Sequence, residues 1–157
     1  MSYVFELRKM VGNRPLLAPG GRAVVVNSAG DVLFHHRVDL NIWDLPGGSA
    51  DVGESQSDSV IRELKEETGL TPIDWTPIGL ASDPERETVH YPNGDIVQGF
   101  SLVLLVEKWQ GTLRTSSESN ELRWFPIGEP PKQLRANITE TLAAYERWHQ
   151  TAQFQLF

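Results

Sequence analysis

The most constraining feature of this chain is a run of glycines and charged residues at fixed intervals between Gly48 and Leu70. Ser55 followed by Asp58 has the capping-box pattern that begins a helix. Apolar residues then recur three to four positions apart, and Gly69 stands where a helix of this length would end. The segment therefore predicts a glycine-rich loop followed by an amphipathic helix.

Three glutamates of this predicted helix fall on one side of it. At about 100° per residue, Glu63 and Glu67 lie one turn apart, and Glu66 lies beside them. Like charges this close raise each other's pKa, and a divalent cation removes that penalty. Clustered carboxylate oxygens suit Mg²⁺ or Mn²⁺. The charges alone would more often indicate a solvated helix face, so the spacing of the whole segment has to decide.

That spacing resembles the Nudix box: glycine, five residues, glutamate, seven residues, Arg-Glu-aliphatic, one residue, Glu-Glu, one residue, Gly-aliphatic. The positions are filled here by Gly48, Glu54, Arg62, Glu63, Leu64, Glu66, Glu67, Gly69 and Leu70. A chance match at a given start is on the order of 10⁻⁹ from residue frequencies. The resemblance implies a metal-dependent hydrolase that cuts the pyrophosphate linkage of a nucleoside diphosphate derivative.

The resemblance also implies roles for single residues. Glu63, Glu66 and Glu67 would be the metal carboxylates, and Glu63 is also a candidate base for water. Arg62 would orient Glu63 through a charge-assisted hydrogen bond, and Gly47 is placed to offer its backbone carbonyl to the metal. The cofactor expected is Mg²⁺ or Mn²⁺.

Some members of this family use a base from a loop outside the box. Glu118 and Glu121, in the polar stretch before a predicted strand, are the candidates here, although a solvated loop explains them equally well. Arg37 is expected either to contact a phosphate or to flank the sheet. Tyr91 is placed to shape a nucleotide pocket. His35 and His36 point to opposite faces of a predicted strand, so they cannot both bind one metal.

The remainder of the chain predicts an α/β (α+β) fold of the Nudix type, an α/β/α sandwich with a mixed sheet, in a single domain spanning residues 1–157. The first dozen residues predict a short helix ending near Gly12, and residues 15–21 contain a cluster of chain-breaking prolines and glycines. Residues 39–53 predict a loop. The other predicted elements are a hairpin of 23–26 with 32–38, strands over 73–81, 87–91, 100–107 and 122–127, a tight turn at 92–95 and a helix over 138–149.

Composition narrows the partners. The net charge of −7 provides no general field to attract long nucleic acids or anionic membranes, and no apolar run approaches the ~18 residues of a membrane span. The absence of cysteine excludes disulfides and thiolate chemistry. We therefore expect a cytoplasmic protein that acts on a small nucleotide, and exposed edge strands would allow a homodimer.

Several functions remain open at this stage. A nucleoside-diphosphate sugar such as ADP-ribose is the favoured substrate, with nucleoside triphosphates and dinucleoside polyphosphates as alternatives. A nucleotide-binding sensor without catalysis is a second class, although degenerate members usually lose box residues that this chain retains. An isoprenoid diphosphate isomerase would need a pocket cysteine, and the chain has none.

Overall fold

In a computed structural model, residues 3–157 of the chain are described. Over this range the protein forms four helices and nine strands. In chain order they are α1 (Tyr3–Val11), β1 (Leu16–Val25), β2 (Asp31–Arg37), β3 (Ile42–Asp44), β4 (Gly47–Ser49), α2 (Gln56–Thr68), β5 (Leu70–Ala81), α3 (Pro84–Glu87), β6 (Thr88–His90), β7 (Ile96–Gly111), β8 (Ser119–Pro126), α4 (Ile138–Thr151) and β9 (Gln155–Leu156).

The strands form two sheets. In the larger, mixed sheet the order is β4-β1-β7-β5-β9, and β6 pairs with β7. Its centre is a parallel pairing in which Leu16 to Val25 lie opposite Val97 to Val106. The smaller sheet is antiparallel, in the order β3-β2-β8. The predicted mixed sheet is therefore confirmed, with a second sheet beside it.

Neighbouring residues of β1 face opposite layers of the molecule, because side chains alternate along a strand. Ala23 and Val25 pack in one buried cluster with Leu64 of α2. Val24 packs in a second cluster with Leu142 of α4. The large sheet thus lies between α2 and α4, as the predicted α/β/α sandwich requires.

The predicted chain break at Pro19, Gly20 and Gly21 is wrong, since all three lie inside β1. A Cβ on Gly20 would overlap the carbonyl oxygen of Gly48 on β4. A Cβ on Gly21 would overlap Val60 of α2. These glycines therefore allow β4 and α2 to approach the β1 backbone closely. In the sequence alone, the same glycines were interpreted as a chain break.

Two other predicted connections differ from the structure. The predicted hairpin is reduced to one bridge between Val26 and Val32, because β2 pairs with β3 and β8 in the other sheet. The predicted loop over residues 39–53 contains the short strands β3 and β4. Each of these strands has only three residues, which is too short for an alternating apolar and polar pattern to be recognised in the sequence.

The other predicted elements are present, with ends shifted by a few residues. The first helix ends at Val11, and Gly12 follows with a φ of 64°; its first two predicted residues lie outside the described range. The turn at 92–95 has Gly94 at a φ of 86° and joins β6 to β7. None of the helices within residues 3–157 has the length and apolar character needed to cross a membrane.

Candidate active site

α2 carries the segment that the sequence singles out. Its N-cap is Ser55, whose Oγ accepts the backbone N–H of Asp58 at 3.1 Å, so the predicted cap is confirmed. The helix ends at Gly69, whose φ of 79° is left-handed and whose N–H donates to the carbonyl of Lys65. Leu64 faces the core with 0% exposure. The charged side of α2 therefore faces β4 and the solvent beyond it.

Arg62 connects the charged residues of α2 to the preceding loop. Its guanidinium donates to both carboxylate oxygens of Glu54, at 2.7 and 3.0 Å, and to the carbonyl of Ser49 at 3.2 Å. The hydrogen bonds from Arg62 lower the pKa of Glu54 to about 2. Nη1 of Arg62 also donates to Glu63 at 2.8 Å and to Glu66 at 3.3 Å. Arg62 thus bridges Glu54 and Glu63, and its orienting role remains what the resemblance implies.

Two carboxylates of α2 point inward. Glu67 is only 3% exposed, and its Oε2 accepts the N–H of Gly47 at 2.8 Å. Burial raises the pKa of Glu67 well above its ordinary value, although the Gly47 N–H acts in the opposite direction. Burial also raises the pKa of Glu63, despite the hydrogen bond from Arg62. Neighbouring cations therefore do not offset the cost of burying these two charges.

These donors fit a divalent cation. As the side chains stand, residues 3–157 contain no ready-made group of three or more His, Asp or Glu ligands. The raised pKa values of Glu63 and Glu67 nevertheless indicate a local shortage of positive charge. A Cβ on Gly48 would overlap the Glu63 carboxylate, so only glycine leaves that oxygen accessible beside β4. Carboxylates from Glu63, Glu66 and Glu67, with the Gly47 carbonyl, could hold the ion.

His35 lies behind Glu67. Its Nδ1 is 3.7 Å from Glu67 Oε1 and 2.7 Å from the hydroxyl of Ser119. Burial lowers the pKa of His35 to about 4, so the imidazole is neutral near pH 7. The sequence interpretation assigned His35 an ordinary core or surface role, and the strand pattern alone gave no sign that it would meet the box.

The two candidate loop bases occupy different surroundings. The side chain of Glu118 is exposed, and its charge lies close enough to contribute to the raised pKa of Glu63. Glu121 lies opposite His36 across the small sheet and pairs with Arg123. His36 faces away from the side on which His35 meets Glu67, because successive side chains of a strand alternate. Glu118 thus lies within electrostatic reach of Glu63, whereas the carboxylate of Glu121 pairs with Arg123.

A cleft lined by arginines lies on the other side of β4, with Gly47 and Gly48 in its wall. Buried Asp44 accepts a hydrogen bond from Arg135 at 2.9 Å, and its Oδ2 is 3.6 Å from Arg37 Nη1. The charged lining residues are three arginines and two carboxylates, which sum to +1: Arg22, Arg37, Arg135, Asp44 and Glu87. In a chain of net charge −7, this is a local site for an anion.

The floor of the cleft is a buried polar network. Arg22 pairs with Glu87 and donates to the Thr141 hydroxyl at 3.0 Å. Glu87 also accepts from Asn137 at 3.1 Å and from Ser101 at 3.2 Å. Arg22 directs its hydrogen bonds to these partners and therefore stabilises the cleft. The side chains of Arg37, which also pairs with Asp39, and Arg135 remain partly exposed.

Sequence reasoning identified Arg37 and Tyr91 but missed Arg135 and Arg22. Arg135 lies in the connection before α4, which has no pattern that reports its position. Arg22 lies next to the glycines that were interpreted as a chain break. Arg135 reaches the cleft through long-range contacts with Trp43 and Asp44 of β3, which the sequence does not reveal.

Comparisons with known proteins identify relatives of this chain in sequence and in fold. The sequence model of the NUDIX domain matches residues 17–145. A protein from Methanocaldococcus jannaschii named ADP-ribose pyrophosphatase is 33% identical over 104 residues, which are 66% of this chain and 57% of that protein. A Bacillus subtilis protein named putative 8-oxo-dGTP diphosphatase is 32% identical over 113 residues, 71% of this chain and 68% of that protein. The chain thus spans little more than half the length of the first of these relatives.

A solved structure shows the same fold. The MutT NUDIX hydrolase from Burkholderia pseudomallei superposes with a TM-score of 0.67, at 24% identity, over 83% of this chain and 98% of that one. Members of this family generally use divalent metals. From the match over residues 17–145 and the shared fold, the chain belongs to the NUDIX domain family.

Proposed function

We propose that the protein is a divalent-metal-dependent pyrophosphohydrolase that acts on a nucleoside diphosphate derivative. The observation that carries this proposal is the position of β4. One side of this strand contacts the half-buried Glu63 and the buried Glu67, and the other borders the arginine-lined cleft. A diphosphate in the cleft would therefore lie beside the carboxylates that attract the cation.

Each group then has a defined role. Arg37 and Arg135 hold the phosphates, and Asp44 fixes the two guanidinium groups. Arg62 orients Glu63, and Glu118 accepts the proton of the attacking water. When bound, Mg²⁺ or Mn²⁺ neutralises phosphate charge and activates water. The ion would compete with Arg62 for the oxygens of Glu66, whose side chain is 60% exposed and free to turn.

Within this class we favour a nucleoside-diphosphate sugar such as ADP-ribose. The support is the identity of 33% with the archaeal protein named ADP-ribose pyrophosphatase. A second relative, 32% identical, is named for 8-oxo-dGTP, so the test has to include more than one class of substrate. Nucleoside triphosphates and dinucleoside polyphosphates belong in the same test.

A substrate panel tests the proposal. ADP-ribose, other nucleoside-diphosphate sugars, nucleoside triphosphates and dinucleoside polyphosphates are incubated with the protein and either Mg²⁺ or Mn²⁺, and the products are separated by chromatography. We expect metal-dependent cleavage at the diphosphate, fastest for ADP-ribose. Turnover of another class alone would correct the substrate. Binding of nucleotides without turnover by any class would favour the sensor function instead.

A further inference from the structure

A second cavity lies between α1 and the hairpin of β6 and β7. Its volume is about 290 Å³, near the lower end of the ~300–1,000 Å³ that small-molecule sites occupy. The walls combine aliphatic side chains with two aromatic rings, those of Phe5 on α1 and Tyr91 at the hairpin. Val4 and Val97 supply the aliphatic part. The other lining residues are polar: Arg8, Ser49, Asn93 and Asp95. The cavity therefore offers both ring surfaces and hydrogen-bonding groups, which suits a flat heterocycle with polar edges.

Specific contacts hold α1 against this hairpin. Arg8 Nε lies 3.1 Å from Asp95 Oδ1, and the two side chains are only 11% and 20% exposed. Arg8 Nη2 also donates to the carbonyl of Ile96 at 3.0 Å. Just beyond the helix, Asn13 donates to the carbonyl of Asn93 at 3.2 Å. α1 is therefore a fixed wall of the cavity.

The cavity adjoins the arginine-lined cleft. Ser49, Tyr91 and Val97 line both. A molecule whose phosphates occupy the cleft would consequently extend its remaining part past Tyr91 towards α1. Because Arg8 and Asp95 neutralise each other, this second cavity has no net charge. The cavity therefore does not compete with the cleft for phosphate.

We propose that this cavity binds the base of the nucleotide substrate, between the rings of Phe5 and Tyr91, and that α1 thereby sets base preference. The inference rests on the proposed function for the position of the phosphates. Aromatic rings stack on any base and add substantially to its affinity. Since α1 precedes the segment matched by the family, this wall belongs to the chain's own N-terminal region.

Product binding separates this inference from the reaction itself. Affinities for four nucleoside monophosphates and for ribose 5-phosphate, which lacks a base, are measured by calorimetry at fixed Mg²⁺. The variants are Val4→Trp, which fills the cavity, and Phe5→Ala, which removes one ring. Met10→Trp is the matched control, because Met10 is on the same helix, 83% exposed and outside the cavity.

We expect at least one nucleoside monophosphate to bind more tightly than ribose 5-phosphate. Val4→Trp and Phe5→Ala should weaken it about 10-fold, since one stacking partner is lost or blocked. Ribose 5-phosphate affinity and the control should stay within about 2-fold of the wild type. Unchanged base preference in both folded variants, or no preference in the wild type, would overturn the inference even if diphosphates are hydrolysed. If the variants altered base preference but the wild type hydrolysed no diphosphate, the proposed function would be overturned and the base-binding cavity would still be supported.

Discussion

Glu118 and Glu121 flank the same short stretch of chain, yet they differ in what surrounds them. The charge of Glu118 acts on Glu63, whereas Glu121 is held by Arg123 on the side of His36. A general base has to reach the attacking water, which in the proposed site lies near the carboxylates of α2, and its own carboxylate has to be accessible. On this ground the structure favours Glu118 over Glu121.

The first prediction compares these two residues. Glu118→Gln should lower kcat about 100-fold, the usual contribution of a general base, with little change in KM. Glu121→Gln, its matched control, should stay within about 2-fold because its carboxylate faces Arg123. Steady-state kinetics on the substrate found by the panel measure both. If the two variants behaved alike, Glu118 would not be the base.

The second prediction concerns Asp44, the buried anchor of two arginines. Asp44→Asn should lower the free energy of unfolding by about 2 kcal/mol, because both guanidinium groups lose a buried partner. Asp39→Asn is the control, since Asp39 also pairs with Arg37 but is 52% exposed, and we expect less than about 1 kcal/mol. Chemical denaturation at pH 7 measures both changes.

This effect should depend on pH in one direction. Burial raises the pKa of Asp44, but Arg135 and Arg37 together hold it below the ordinary value. A lowered folded-state pKa gives stability that is present above the unfolded pKa of about 3.9 and is lost as pH falls through the folded value. The difference between wild type and Asp44→Asn should therefore be constant from pH 5 to 8 and shrink below about pH 4. A difference that grew on acidification would contradict the ion-pair account.

At the scale of elements, the packing of α2 against the sheet depends on Gly21 of β1, which has no side chain. A Cβ on Gly21 would overlap Val60 and the carbonyl of Leu102. We predict that Gly21→Ala destabilises the protein by about 1–3 kcal/mol through overpacking and also lowers activity, because α2 carries the carboxylates. Gly128→Ala is the control, since no atom lies within 4 Å of its added Cβ. Thermal unfolding and turnover are the readouts, and equal stability of the two variants would contradict this role.

The sequence predicted α2 well because its signals are local. Ser55 and Gly69 define the ends through their own backbone contacts, and the glutamates follow from helical spacing. Long strands such as β7 were also found, because β-branched and apolar residues concentrate there. The NUDIX resemblance then gave the α/β/α arrangement.

The errors arose where tertiary contacts override local preference. Gly20 and Gly21 have the composition of a turn, but close approach by β4 and α2 requires them in a strand. The short strands β3 and β4 exist through their partners β2 and β1. Arg135 and His35 join the site only after the sheets form, so no spacing along the chain could have placed them.

At the scale of the whole molecule, an acidic protein concentrates positive charge in the cleft that we propose binds the diphosphate. Three arginines line the cleft, while the carboxylates of α2 lie across β4. The fold keeps the arginines and the carboxylates on opposite sides of β4, because β4 is hydrogen-bonded to β1 and α2 packs against both strands. The central claim is that the two sides of β4 act together on one diphosphate.

The most direct test is the hydrolysis of ADP-ribose by the wild type, Glu67→Gln and Glu63→Gln with Mg²⁺, with AMP and ribose 5-phosphate as the measured products. We predict that the wild type forms both products in equal amounts and that chelation of the metal abolishes the reaction. The turnover rate of each folded variant should fall by at least about 100-fold, which exceeds the usual effect of removing a residue that contacts a metal ligand but not the metal. Near-wild-type turnover by either variant would contradict the assignment of these carboxylates to the metal.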